Sequence, residues 1–142
     1  MGVFRHPAQA DVRRLLVAAQ LPTDDLTPRH LENFFGCGPA ERPLGVGGIE
    51  LHGEHALLRS LAVDAAARGQ GYGAALVAAL EAHARAHGVR RIHLLTTTAA
   101  RYFEALGYRI AARDEAPASI RAAPEFSTLC PASAAFMTKD LR

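Results

Sequence analysis

The chain has 142 residues, 49% of them hydrophobic and 21% charged, which suits a single globular domain spanning 1–142. Sixteen Lys and Arg against fourteen Asp and Glu leave a formal charge of +2, too small and too scattered a surplus for a nucleic-acid partner. No window approaches the length of a membrane span and the first ten residues hold no long apolar run, so a cytoplasmic protein with no membrane partner is expected.

Val3–Arg5 reads as a short first strand. Pro7 suits a helix start, and Val12, Leu15, Leu16 and Ala19 recur at helical spacing until Pro22. Thr27-Pro28 opens a shorter helix through Leu31. Asn33–Gly38 reads as a strand and residues 39–43 as a turn. Leu44–Leu51 and Ala56–Val63 then form two strands around the polar turn His52-Gly53-Glu54. A helix from Ala74 to His87 places Leu76, Leu80 and Ala84 on one face, with Gly88 as its cap. Arg91–Thr96 is a strand, Ala99–Leu106 a helix ending at Gly107, and Tyr108–Ala112 another strand. Residues 113–131, with Pro117, Pro124 and Pro131, read as loop, and a last strand runs from Ser133 to Asp140.

Two features carry chemistry. The first is Leu61-Ala62-Val63 running into Arg68-Gly69-Gln70-Gly71-Tyr72-Gly73, with a helix directly behind. A helix N-terminus has unpaired amides and the positive end of a dipole, and glycines let phosphate oxygens approach the backbone. With Arg68 as a fixed cation, the segment reads as a pyrophosphate cradle. A Walker loop is excluded because no lysine precedes Lys139, and the G-x-G-x-G spacing is not that of a dinucleotide fingerprint. The second feature is an arginine, Arg59, inside the apolar run Leu57–Leu61. Strand alternation places Arg59 and Ser60 on opposite faces, and a mid-strand arginine needs an anion or a solvated face, which leaves a ligand carboxylate or oxyanion, or a protein salt bridge, as its partner. The cysteines, Cys37 and Cys130, form neither a disulfide framework nor a zinc motif, and no metal is expected.

The pattern R-x-x-G-x-G after a strand ending L-A-V resembles the acetyl-CoA-binding motif of the GNAT family of N-acetyltransferases, and the element order resembles that family along nearly the whole chain. The resemblance implies an α/β fold, a mixed, mostly antiparallel sheet whose parallel fourth and fifth strands splay apart, with flanking helices. It implies acetyl-CoA as cosubstrate, with Leu61, Ala62 and Val63 offering backbone groups to its pantetheine arm and Arg68, Gly69, Gln70, Gly71, Tyr72 and Gly73 holding its pyrophosphate. The implied reaction is transfer of acetyl to the primary amine of a small molecule. Relatives often form dimers, which an apolar last strand would suit.

Two departures from the family stand out. The segment Ala99–Tyr108 resembles a helix whose tyrosine protonates the leaving thiolate, but Phe103 occupies that position, against the cofactor, and Tyr102 precedes it, about 100° around the helix. Tyr102 is thus either a displaced acid or packing. A glutamate that many relatives use as base is absent from Ala56-Leu57-Leu58, leaving Glu50, His52, Glu54, His55 and Glu125 as substitutes, with Glu54 carried as the catalytic candidate.

Thr96-Thr97-Thr98 and Glu125–Ala134 resemble the small arsenic-resistance-associated N-acetyltransferases, implying an amino-acid-like acceptor or a role in toxin resistance. Arg59, Arg121 and Ser127 are candidates to bind that acceptor. Cys130 is either a reactive thiol beside the site or a small buried hydrophobe. The alternative to an enzyme is a non-catalytic acetyl-CoA-binding module acting as sensor or regulatory subunit.

Overall fold

The computed structural model describes residues 2–129 and 133–141. Cys130 lies outside them. The chain runs β1 (Val3–Arg5), α1 (Gln9–Ala18), α2 (Pro28–Leu31), β2 (Phe34–Cys37), β3 (Gly45–His52) and β4 (His55–Val63). It continues with α3 (Tyr72–Ala86), β5 (Arg91–Thr96), α4 (Ala100–Ala105), β6 (Arg109–Ala111), α5 (Ala118–Arg121) and β7 (Ala135–Asp140). Short 3-10 turns occupy Ala65–Ala67 and Arg113–Glu115, and a single π-helical turn spans Glu125–Leu129.

All seven strands join one sheet in the order β1-β2-β3-β4-β5-β7-β6. Every neighbouring pair is antiparallel except β4 and β5, which are parallel. This is the expected α/β architecture, a mixed, mostly antiparallel sheet with one parallel pair. Helices cover both faces. On one, α3 buries Leu76, Leu80 and Ala84 against Ile49, Leu58 and Ile92. On the other, α1 buries Val12, Leu15 and Leu16 against Phe34, Val46 and Ala62. Each fully buried leucine among these contributes about 2 kcal/mol through the area it removes from water. No helix among the described residues is long and apolar enough to cross a membrane.

Residues 113–131 are not the plain loop that their prolines suggest. Ala116, Ile120 and Ala123 are spaced to share one side of a short helix, and they bury against Leu57 and Phe136. Pro117 supplies the extended residue before α5 rather than breaking it.

Strand alternation also fails at one place, and the failure shapes the site. Ser60 adopts φ +58°, and the register of β3 against β4 slips there: Val46 faces Ala62 whereas Gly48 faces Arg59. This is a β-bulge, one extra residue in β4. Before it Ala56 and Leu58 face α3; after it Leu61 does, while Ala62 turns to α1. Arg59 and Ser60 are therefore not on opposite faces: Arg59 Nε donates to Ser60 Oγ at 3.0 Å.

Candidate active site

The parallel pairing of β4 with β5 covers only His55–Leu57 against Arg91–His93. Beyond Leu57 the strands diverge, and the edge of β4 from Leu58 to Val63 faces a gap instead of a neighbouring strand. A cleft of about 1150 Å³ occupies this gap. Its walls are the end of β4, the turn from Arg68 to the start of α3, residues Leu94–Ala99 with Tyr102 and Phe103, and the segment Ala19–Asp24 after α1.

The cradle is built as its glycines require. Gly69 and Gly71 have φ +79° and +85°, a left-handed conformation that side chains resist. Gly71 is the N-cap of α3 and provides no side chain to satisfy the helix's first amides, so those donors remain for a ligand. Arg68 stands exposed on the same turn and lines the cleft. Leu61, Ala62, Val63, Gly69, Gly71, Tyr72, Gly73 and Phe103 line it too, whereas Gln70 does not.

Tyr102 is 42% exposed, and its hydroxyl reaches over Gly73, filling the space where a side chain at that position would project. Burial of the ring raises its pKa, so the hydroxyl keeps its proton. Two contacts hold the end of α4 in place. Lys139 Nζ donates to the carbonyl of Leu106 at 2.8 Å, and Tyr108 donates to Glu81 of α3 at 2.9 Å.

The opposite end of the cleft is a charge cluster around Arg59, whose side chain is fully buried. Its Nη1 bonds both Asp25 and Glu50, the latter at 2.8 Å, and Nη2 donates to Asp25 Oδ1 at 2.7 Å. These carboxylates answer the demand for an anion that a mid-strand arginine makes. Burial would raise the Glu50 carboxyl, but hydrogen bonds from His52 and Arg59 outweigh it and hold the group below its ordinary range. Asp25, His30 and Glu50 place ligand atoms within 4.8 Å of one another, and Arg59 bridges the two carboxylates.

Glu125 lies beside this cluster on the cleft wall, 5% exposed, with Oε2 buried and lacking a hydrogen-bond partner. Burial pushes its carboxyl up to about 7; Arg59 opposes the shift, and Glu50 and Asp25 add to it.

Besides Gln70, the candidate bases Glu50, His52, His55 and Glu54 and the candidate acceptor residues Arg121 and Ser127 do not line the cleft. Glu54 sits exposed in the β3–β4 turn, and the length of β4, about 25 Å of extended chain, separates it from the cradle. The hairpin that places it near the strand in sequence places it at the wrong end of the strand in space. Arg121 and Ser127 are exposed and do not line the cleft, because α5 and the residues just after it turn Ile120 and Ala123 inward instead. No motif marks Asp25 in the sequence. The only signal for it was the need of Arg59 for an anion, which does not say where in the chain the anion lies.

The family model of the acetyltransferase (GNAT) family matches residues 9–108. A comparison with curated proteins finds no significant match. Among solved structures, Rv2747 from Mycobacterium tuberculosis in complex with CoA and NLQ is similar, with a TM-score of 0.81 at 20% identity covering 100% of both chains. N-acetylglutamate synthase from Neisseria gonorrhoeae, complexed with coenzyme A and N-acetyl-glutamate, has a TM-score of 0.81 at 19% identity. That match covers 99% of this chain but 35% of the synthase, so the chain spans about a third of that enzyme's length. A putative acyl-CoA N-acyltransferase from Klebsiella pneumoniae has a TM-score of 0.72 at 24% identity, covering 99% and 97% of the two chains.

Proposed function

The chain belongs to the GNAT acetyltransferase family, and on that premise we propose that it transfers the acetyl group of acetyl-CoA to the primary amine of a small molecule. The observation that carries this reading is the opening of the sheet between β4 and β5 onto the glycine turn of α3. One end of the cleft is basic and rich in backbone donors, which suits a pyrophosphate. The middle offers the unpaired edge of β4, where backbone groups near Leu61 and Ala62 would hold the pantetheine arm and polarise the thioester carbonyl. Two of the solved relatives were crystallised with CoA, in keeping with this assignment.

Tyr102 stands over the cradle with its proton retained, and in this reading it protonates the departing thiolate. Phe103, buried beside it, keeps the role of apolar wall. An amino-acid-like acceptor, and a place in arsenic or toxin resistance, extend the proposal. A carboxylate on such an acceptor would reach Arg59 by exchanging with Asp25, which stands on the segment between α1 and α2.

Purified protein mixed with acetyl-CoA and a panel of amino acids, simple amines and amino-acid-like arsenicals tests this by free-thiol release. Acceptor-dependent thiol establishes the acetyltransferase and its acceptor class. Tight acetyl-CoA binding with no acceptor-dependent thiol across the panel would favour a sensor or regulatory module instead.

A further inference from the structure

Of the carboxylates around Arg59, two are engaged. Asp25 and Glu50 accept hydrogen bonds from the guanidinium, and Glu50 is also met by His52 at 3.3 Å and His30 at 3.7 Å. Glu125 differs. Its residue is buried, it lines the cleft beside Arg59 and Ser60, and its Oε2 has no partner. A buried polar atom is normally hydrogen-bonded, and an exception on a cleft wall is the mark of a group kept for a ligand.

Resting on the acetyltransferase reading above, we infer that Glu125 is the group that takes the proton from the acceptor's ammonium ion, with Arg59 as a positioning residue that fixes the charges around it. The π-helical turn of which Glu125 is the first residue follows α5, and the segment leading into it is anchored by Ile120 and Ala123 against Leu57 and Phe136. That anchor holds the start of the turn beside the cleft, where Glu125 lines the wall with Arg59 and Ser60. The acceptor arrives as R–NH₃⁺ and gives one proton to the carboxylate, directly or through one water. The freed lone pair attacks the thioester carbon, a C–N bond forms and the C–S bond breaks. Of the two protons left on nitrogen, one stays on the amide, and the loss of the other balances protonation of the thiolate. Glu125 returns its proton to solvent before the next turnover.

The groups facing Glu125 are Arg59 from β4, Glu50 from β3 and Asp25 from the segment between α1 and α2, with His30 and His52 beyond Glu50. Arg59 stabilises the charged carboxylate, whereas burial and the two acids favour the neutral form. Their balance leaves the carboxyl near 7, close to the working value of a general base.

The test compares the wild type with Glu125→Gln and Glu125→Asp, reading kcat against pH, acetyl-CoA affinity by calorimetry, and the Glu125 carboxyl by ¹³C NMR titration. The expected result is a wild-type rate that rises through pH 7 to a plateau, and a carboxyl resonance titrating over the same range. Glu125→Gln should lose about 100-fold in kcat and the limb near pH 7, with acetyl-CoA affinity within threefold, and Glu125→Asp should restore part of the rate. A Gln variant that keeps the wild-type rate and limb, or a carboxyl that titrates in the ordinary range near 4.5, overturns the assignment. If the wild type binds acetyl-CoA yet acetylates no amine, the acetyltransferase reading itself falls and takes this one with it.

Discussion

The hydroxyl of Tyr102 lies where a side chain on Gly73 would have to project, so the tyrosine reaches over the first turn of α3 through space that position 73 leaves free. The contact joins the helix that carries the displaced tyrosine to the helix that ends the cradle. It also gives Gly73 a role distinct from that of Gly71: the first makes room, the second turns the chain.

Gly73→Ala should therefore push the Tyr102 ring out of place. We expect the KM for acetyl-CoA to rise at least about tenfold with little loss of stability, because the displaced atom is the tip of a partly exposed side chain that can swing aside. Adding Tyr102→Phe removes the clashing oxygen and should recover part of the affinity. Tyr102→Phe alone should lower kcat about tenfold with little change in acetyl-CoA KM. Steady-state kinetics on the three variants separates the steric role from the proton-donating one, and an unchanged kcat in Tyr102→Phe leaves only the first.

Replacing Arg59 strands Asp25 and Glu50 in a buried setting. Arg59→Met should cost about 3–5 kcal/mol at neutral pH, the usual consequence of removing one partner of a buried ion pair. The pH dependence gives the sign. In the wild type Glu50 is held below 4.5, so its stabilising contribution is present above that value and lost as pH falls through the lowered one. Without the guanidinium the carboxylates resist ionising, and the variant should be more stable at pH 5 than at pH 7.5. Urea midpoints at the two values decide it.

Glu125 and His93 have opposite effects on stability. A Glu125 carboxyl near 7 keeps a proton that the unfolded chain has released, so stability falls as pH rises from 4.5 to 7, by about 3 kcal/mol. His93, buried beside His55 and near Arg91 and Arg109, is pushed down to about 4, so stability falls as pH drops from 6.5 towards 4. Glu125→Gln removes the first effect alone. Relative to wild type it should gain stability steadily from pH 4.5 to 7.5 in urea unfolding, and a constant difference would contradict the burial described.

Cys37, the last residue of β2, is buried in the core that α3 covers, and burial raises its thiol to about 11. A neutral, enclosed thiol is a poor nucleophile. In a Cys130→Ser background, the remaining thiol should react with a disulfide reagent no faster than the protein unfolds. Fast labelling of the native protein would show that this face of the sheet opens.

Much of the fold is local chemistry and is legible in the chain. The spacing of Leu76, Leu80 and Ala84 determines which face α3 buries, and the glycines of 69–73 determine that the backbone turns there with few side chains in the way. These features depend on neighbours a few residues apart, which periodicity and turn preference can read. The cradle was accessible for the same reason: its residues are consecutive.

The charge cluster at Arg59 is decided by tertiary structure. An arginine in an apolar strand announces that it needs anions, but the fold alone brings Asp25, Glu50 and Glu125 to it from three different elements. The bulge at Ser60, visible only once β3 and β4 are in register, turns Arg59 and Ser60 into partners and reassigns the faces of the residues that follow. Glu54, close to β4 in sequence, ends a strand's length from the cleft, while Glu125, 66 positions after Arg59, lines it. Sequence determines which charges the protein carries and which turns it makes. Which charges meet is decided by long-range packing, because the free energy of a buried carboxyl depends on neighbours that only the folded sheet supplies.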